Sequence, residues 1–128
     1  MIRIAIDGPG GAGKSTIAKL VGDKLGLEYI DTGAMYRAVG LKLNRKGIKP
    51  DDLISISNIL EETTIDFVNG KIILDGDDVS DIIRTQEISK FASIYSQIPE
   101  VRSKLVDIQR RIAAGKSVIM DGRDIGTN

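Results

Sequence analysis

Two periodicities of hydrophobic and polar residues divide the chain into strands and helices. Short apolar runs rich in β-branched residues predict buried strands at residues 2–7, 27–30 and 117–121. Apolar residues at helical spacing predict helices at residues 15–25, 34–46, 50–62, 85–96 and 99–114. Strands that alternate with helices indicate an α/β fold with a parallel sheet, in which ligands bind at the carboxyl ends of the strands.

The pattern changes between residues 65 and 80. Two short apolar runs, 65–68 and 71–74, flank Asn69-Gly70, a pair that strongly favours a tight hairpin turn. Residues 75–78, with the sequence Asp-Gly-Asp-Asp, predict a second turn. We therefore expect a small antiparallel β insert at residues 65–80 within the α/β fold.

The first predicted strand is followed directly by a glycine-rich segment with the pattern GxxxxGKS. Its glycines let successive backbone N–H groups face a polyphosphate, and the helix that follows adds the positive end of its dipole. Lys14 supplies a cation for the β- and γ-phosphates, and the hydroxyl of Ser15 is a ligand for Mg²⁺. We therefore predict that a nucleotide binds to the octet Gly8, Pro9, Gly10, Gly11, Ala12, Gly13, Lys14 and Ser15.

Two further segments follow the other predicted strands and are expected at the same edge of the sheet. Asp31-Thr32-Gly33 is typical of a helix start and also of an anion site, and Arg37, about one turn later, is a candidate ligand for a second phosphate. Asp121 ends the third strand, where a carboxylate orients Mg²⁺ directly or through water. Arg123 follows as a candidate anion clamp. For each residue the alternative is structural: a helix cap, a turn residue or a solvated charge.

The amino-acid composition limits which partners and which kinds of catalytic group are expected. The 128 residues fit one domain, and 18 basic residues balance 18 acidic ones, so no nucleic-acid or membrane partner is expected. The sequence contains no Cys and no His, which excludes a histidine base, a cysteine nucleophile and the usual zinc sites. Lys, Arg, acids, hydroxyls and a bound metal are the groups that phosphoryl transfer uses. Because there is no signal-peptide pattern and no long apolar stretch, we expect a soluble cytoplasmic protein.

Five segments, in matching order, resemble bacterial cytidylate kinases. They are Gly8 to Thr16, Asp31 to Arg37, Ile83 to Glu87, Pro99 to Arg102, and Asp121 to Thr127. Adenylate kinases share the phosphate loop and a related Asp-Thr-Gly helix start, but not the insert or the Gly-Arg-Asp-Ile-Gly-Thr segment. The resemblance implies a phosphate-loop fold of the nucleoside monophosphate kinase type. It also implies phosphoryl transfer from ATP, with Mg²⁺, to CMP or dCMP.

The resemblance assigns roles to individual residues. ATP would bind to the octet together with Thr16, and Lys14 and Arg123 would be catalytic. The residues implied for CMP are Asp31, Thr32, Arg37, Ser93, Arg102, Arg123 and Asp124. Within that set the phosphate would contact Thr32, Arg37 and Arg123. The cytosine ring would contact Ser93, Arg102 and Asp124. Without the resemblance, Ser93 is a tolerated serine in an apolar helix and Arg102 is a surface arginine.

The same resemblance suggests how the chain is organised. A single kinase domain would have its core at residues 1–30 and 85–128, with residues 31–84 as the monophosphate-binding region. Family members continue past the position of Asn128 with further strands and an arginine-rich lid. We therefore expect the N-terminal portion of a longer, monomeric enzyme. On its own this portion would have an incomplete sheet, low turnover and a tendency to self-associate. Two alternatives stay open: a UMP or AMP kinase, and a nucleotide-binding fragment without turnover.

Overall fold

The computed structural model describes residues 2–7 and 14–122, with side chains for residues 2–4 and 16–120. The elements are β1 (Arg3–Asp7), α1 (Lys14–Leu25), β2 (Glu28–Asp31), α2 (Thr32–Arg45), α3 (Leu53–Glu61), β3 (Ile65–Val68), β4 (Lys71–Leu74), β5 (Asp77–Asp78), a 3₁₀ turn (Ile82–Arg84), α4 (Gln86–Tyr95), α5 (Pro99–Gly115) and β6 (Val118–Gly122). Every predicted helix and strand is therefore present, with shifts of a few residues at the ends. The 3₁₀ turn and β5 were not predicted.

A parallel sheet in the order β1-β6-β2 forms the centre of the fold. Ile119 of β6 pairs with Ile4 on one side and with Tyr29 on the other. Successive residues of this strand point to opposite faces, so Ile119 packs with Ala18 of α1 while Val118 joins the larger core formed with α2 to α5. The sheet is thus covered on both faces, as the α/β pattern predicts.

A second, antiparallel sheet contains β3, β4 and β5. The predicted hairpin turn is present, and Asn69 and Gly70 both have left-handed backbone conformations, with φ of 52° and 80°. The second turn, predicted at residues 75–78, is present but shorter than predicted. The turn is confined to Asp75 and Gly76, and the next two residues pair with β4 as a short third strand.

An ion pair attaches this second sheet to α2. Lys42 is buried on the helix, and its Nζ lies 2.6 Å from Oδ2 of Asp75. The other carboxylate oxygen accepts a hydrogen bond of 2.8 Å from the backbone N–H of Thr64. Burial raises the pKa of Asp75. The hydrogen bonds with Lys42 and Thr64 and the charge of Lys42 together lower this pKa by more, so it lies below the ordinary value for aspartate. The charged carboxylate therefore joins the insert to the helix.

Helices α2 and α4 meet backbone to backbone at Gly40. A Cβ at this position would lie 3.0 Å from the backbone nitrogen of Ala92 and 3.3 Å from its Cα. The buried Tyr95 of α4 also donates a hydrogen bond from its hydroxyl to the carbonyl of Ile48, which follows α2. These contacts determine where α4 lies relative to α2.

Candidate functional site

The three parallel strands end at one edge of the sheet. The last residue of β1, Asp7, pairs with Gly122, and the last residue of β2, Asp31, pairs with Asp121. The predicted phosphate loop starts at this edge, because β1 ends here and only six residues separate Asp7 from the start of α1 at Lys14. The segments that follow β1, β2 and β6 therefore share one edge, where α/β proteins bind their ligands.

Several predicted site residues lie outside the described part of the chain. These are Gly8, Pro9, Gly10, Gly11, Ala12 and Gly13 of the octet, and Arg123 and Asp124. For Lys14, Ser15 and Asp121 the backbone is described, and it places the first two at the start of α1 and the third in β6. Thr16, in the first turn of α1, is exposed. Their roles stay predictions.

Asp31 organises the start of α2. Its Oδ1 accepts a hydrogen bond of 3.2 Å from the backbone N–H of Ala34, so this carboxylate caps the helix as predicted. Its Oδ2 lies 3.6 Å from Nη2 of Arg37, a turn and a half along the helix. Both side chains are about one-third exposed, at 37% for the acid and 31% for the arginine. Because a guanidinium has five N–H donors, Arg37 can pair with this carboxylate and still bind a second anion.

Gly33 provides the space for this pair. A Cβ at Gly33 would lie 3.2 Å from Oδ1 of Asp31 and 3.4 Å from Nη1 of Arg37. Thr32, the first residue of α2, is buried. The Asp-Thr-Gly start therefore positions a capping acid, a buried hydroxyl residue and a cation within the first two turns of one helix.

Tyr36 is a residue of this region that the sequence did not single out. Burial raises its pKa, and the charge of Arg102 and a hydrogen bond with that side chain lower it by less, so the hydroxyl is neutral. This contact brings α5, which carries Arg102, to the same turn of α2 that carries Arg37. The sequence offered only one signal for Tyr36, its position directly before Arg37, a predicted phosphate ligand.

Ser93 lies at an exposed position of α4, directly after the close contact between Ala92 and Gly40. Its backbone is therefore fixed relative to α2. Among the described residues, Asp31 and Arg37 line the large cleft beside β2, whereas Ser93 and Arg102 do not. The structure places Asp31 and Arg37 in this cleft, and it places Ser93 and Arg102 on α4 and α5, outside the described lining.

This cleft has a volume of about 1180 Å³, enough for a nucleotide and water. Its walls are α1 and β2 on one side and the β3–β4 hairpin and the 3₁₀ turn on the other. The basic residues that line it are Lys19, Arg37, Arg84 and Lys116. Arg84 is oriented by a hydrogen bond of 3.1 Å from its Nε to the carbonyl of Ser80. The sequence predicted only Arg37 in this set, because Lys19 of α1, Arg84 of the 3₁₀ turn and Lys116 after α5 are brought to the cleft by the tertiary fold.

The residues expected to hold Mg²⁺ fit that ion in their chemistry. A hydroxyl at Ser15 and a carboxylate at Asp121 are hard oxygen ligands, and their backbones lie on segments that meet at the same sheet edge. Within residues 2–7 and 14–122, the side chains that are described include no group of three or more acids that could hold a metal without help.

The described parallel sheet and the phosphate-loop sequence at its first strand define an α/β protein of the phosphate-loop type. The family model for cytidylate kinase matches residues 4–128. The chain is 54% identical over 126 residues to the cytidylate kinase of Caldanaerobacter subterraneus, and 55% identical over 131 residues to that of Caldicellulosiruptor bescii. It is 50% identical over 126 residues to that of Clostridium acetobutylicum. This chain belongs to the cytidylate kinase family.

These alignments cover 98 to 99% of the chain but only 56 to 58% of each of these three relatives. The chain therefore spans a little over half the length of the curated proteins that it matches. Among the described residues, no helix is long and apolar enough to cross a membrane.

Proposed function

We propose that the natural protein containing this chain transfers the γ-phosphoryl group of ATP to CMP or dCMP. The observation that carries the proposal is the Asp31–Arg37 site, which follows β2 at the same sheet edge as the start of the phosphate loop. Two anion-binding segments on one edge are the arrangement needed to place a phosphoryl donor and a phosphate acceptor in line. Family membership and the names of the relatives support the choice of CMP as acceptor.

In this proposal ATP binds to Gly8 to Thr16, and Lys14 neutralises charge on the phosphates during transfer. Mg²⁺, held by Ser15 and Asp121, would supply further charge neutralisation at the phosphate oxygens. Thr32, Arg37 and Arg123 hold the acceptor phosphate. The acceptor oxygen attacks the γ-phosphorus, the bond to the β-phosphate oxygen breaks, and ADP leaves, without a covalent intermediate on the protein.

Cytosine recognition is assigned to Ser93, Arg102 and Asp124. The ring has an exocyclic amine that donates to a carboxylate, and a carbonyl and ring nitrogen that accept from arginine or hydroxyl groups. The contact between Tyr36 and Arg102 supports this assignment, because it holds the guanidinium beside the helix that carries Arg37. We further propose that the natural protein is a cytoplasmic monomer, with residues 31–84 as its monophosphate-binding region.

A phosphorylation assay across acceptors tests the proposal. The natural protein, with ATP and Mg²⁺, is offered CMP, dCMP, UMP and AMP in parallel, and ADP formation is followed for each. We expect kcat/KM for CMP or dCMP to exceed that for UMP and AMP by at least about tenfold, the discrimination that one well-placed hydrogen bond provides. A preference for UMP or AMP would replace the proposed acceptor. Nucleotide binding without turnover would make the protein a binding module instead.

A further inference from the structure

The tip of the β3–β4 hairpin is held by a carboxylate of the central sheet. Oε1 of Glu28 accepts a hydrogen bond of 3.1 Å from the backbone N–H of Asn69, and Oε2 accepts one of 3.1 Å from that of Gly70. Both turn residues have positive φ, a conformation in which neighbouring N–H groups form a concave anion site. The turn therefore binds Glu28, a residue 41 positions earlier in the chain, through backbone atoms alone.

A lysine at the end of α5 strengthens the same attachment. Nζ of Lys116 lies 3.8 Å from Oε1 of Glu28 and 3.2 Å from Oδ1 of Asp66 on β3. It also donates a hydrogen bond to the carbonyl of Phe67. The side chain of Glu28 is 16% exposed and that of Lys116 is 33% exposed, so both side chains are partly shielded from water and neither is fully buried. We call Glu28 and Lys116, with the hairpin atoms that they bind, the hairpin clasp.

The hairpin clasp lies in the wall of the cleft that contains Arg37. Glu28 begins β2 and Asp31 ends it, so the clasp and the predicted phosphate site are about 10 Å apart along one short strand. Phe67, which lines the cleft from the hairpin, supplies one of the two hairpin atoms that Lys116 contacts, and the preceding residue, Asp66, supplies the other. A movement of the hairpin away from β2 would therefore widen the part of the cleft that lies between them.

We propose that Glu28 and Lys116 are positioning residues for the acceptor nucleotide, which act by holding the hairpin against β2 and so setting the width of the cleft. This inference rests on the proposed function, because it takes the phosphate of the acceptor nucleotide to bind at Arg37, which lines the cleft. Neither residue contacts the reacting atoms. Their contribution is to increase the fraction of molecules in which the cleft has its binding width, and apparent affinity falls in proportion when that fraction falls.

Glu28→Gln is the most direct test. The amide keeps the size of the side chain, loses its charge, and replaces one acceptor by an NH₂ group that cannot accept from a backbone N–H. Glu61→Gln is the matched control, because Glu61 is exposed on α3 and is not among the described residues that line this cleft. The first measurement is hydrogen exchange of the Asn69 and Gly70 amides. We expect exchange to be about tenfold faster in Glu28→Gln and unchanged in Glu61→Gln.

The second measurement separates a positioning role from a merely structural one. With ATP and CMP, Glu28→Gln should raise KM for CMP by roughly three- to tenfold, and leave kcat and KM for ATP within about twofold of wild type. Lys116→Met should change exchange and KM for CMP in the same direction by about threefold, and it decides the question if Glu28→Gln does not fold. If neither readout changes, or if exchange accelerates while KM for CMP stays at the wild-type value, the proposal is overturned.

The failure of the proposed function would be visible separately. If the wild-type protein prefers another monophosphate to CMP, the proposed acceptor is wrong, and the same comparison is made with the preferred monophosphate. An increase in its KM in Glu28→Gln would then still support the hairpin clasp, and an unchanged KM would still refute it.

Discussion

The contact between α2 and α4 makes a specific prediction for Gly40→Ala. The two helices approach so closely at this position that the added methyl group would lie 3.0 Å from the backbone nitrogen of Ala92 and 3.3 Å from its Cα. Carbon atoms in ordinary contact are about 3.5 to 4.0 Å apart. Because the neighbouring atoms belong to a helix backbone and not to a flexible side chain, the helices must move apart by several tenths of an ångström.

The expected cost follows from two opposing effects. Overpacking a well-packed interior typically destabilises a protein by about 1 to 3 kcal/mol. Replacing a mid-helix glycine by alanine returns up to about 1 kcal/mol through helix propensity. The net expectation for Gly40→Ala is a loss of about 1 to 2 kcal/mol. Gly115→Ala is the control, because Gly115 lies in α5, a Cβ there meets no atom within 4 Å, and we expect no loss of stability.

Urea unfolding of the purified protein, followed by far-ultraviolet circular dichroism, measures both variants. Gly40→Ala should lower the midpoint without changing the slope of the transition, and Gly115→Ala should leave the midpoint the same or raise it. Since α4 carries Ser93, the first variant should also raise KM for CMP more than KM for ATP. A Gly40→Ala protein as stable as the Gly115→Ala control would refute the close contact between these helices.

Two other predictions concern contacts that attach neighbouring segments to α2. Tyr95→Phe removes the hydroxyl that donates to the carbonyl of Ile48, and it should cost about 1 kcal/mol in the free energy of unfolding, measured by the same urea transitions. A wild-type value in this variant would show that the hydrogen bond contributes nothing. The pKa of Asp75 is lowered in the folded protein, so its pairing with Lys42 stabilises the fold above the ordinary aspartate pKa and is lost as the pH falls through the folded value. Thermal unfolding between about pH 6 and pH 2 should therefore show a smaller acid-induced loss for Asp75→Asn than for wild type, and equal losses would contradict the assignment.

The secondary structure could be predicted from the sequence because its signals are local. Gly26 follows α1 directly and Gly47 lies two residues after α2, and both have φ of +67°, a conformation that makes glycine a local signal for a helix end. The Asn69-Gly70 turn was equally clear, since only a few residue types adopt positive φ. The helix cap at Asp31 likewise depends on a side chain and a backbone N–H only three residues apart.

Contacts between distant segments could not be predicted in the same way. Glu28 binds two backbone N–H groups, which carry no signature of residue type. From the sequence alone, a glycine at position 40 only lowers the helix propensity of α2. The structure shows the reason for it, because the backbone of α4 leaves no room for a Cβ there. The pairing of Tyr36 with Arg102 joins two helices that the sequence does not show to be neighbours. Arg37 was predicted, because a cation one to two turns into a helix that starts at a strand end is itself a local pattern.

The central claim is that Arg37, in the helix that follows β2, binds the phosphate of the acceptor nucleotide. The most direct test compares Arg37→Ala with Arg45→Ala in steady-state kinetics of the natural protein, since Arg45 is an exposed arginine at the end of the same helix. Loss of charge-assisted hydrogen bonds to phosphate, about 1.5 to 3 kcal/mol, should raise KM for CMP roughly ten- to hundredfold in Arg37→Ala. KM for ATP in that variant, and both constants in Arg45→Ala, should stay within about twofold of wild type. An Arg37→Ala protein that binds CMP as well as the Arg45→Ala protein does would contradict the account.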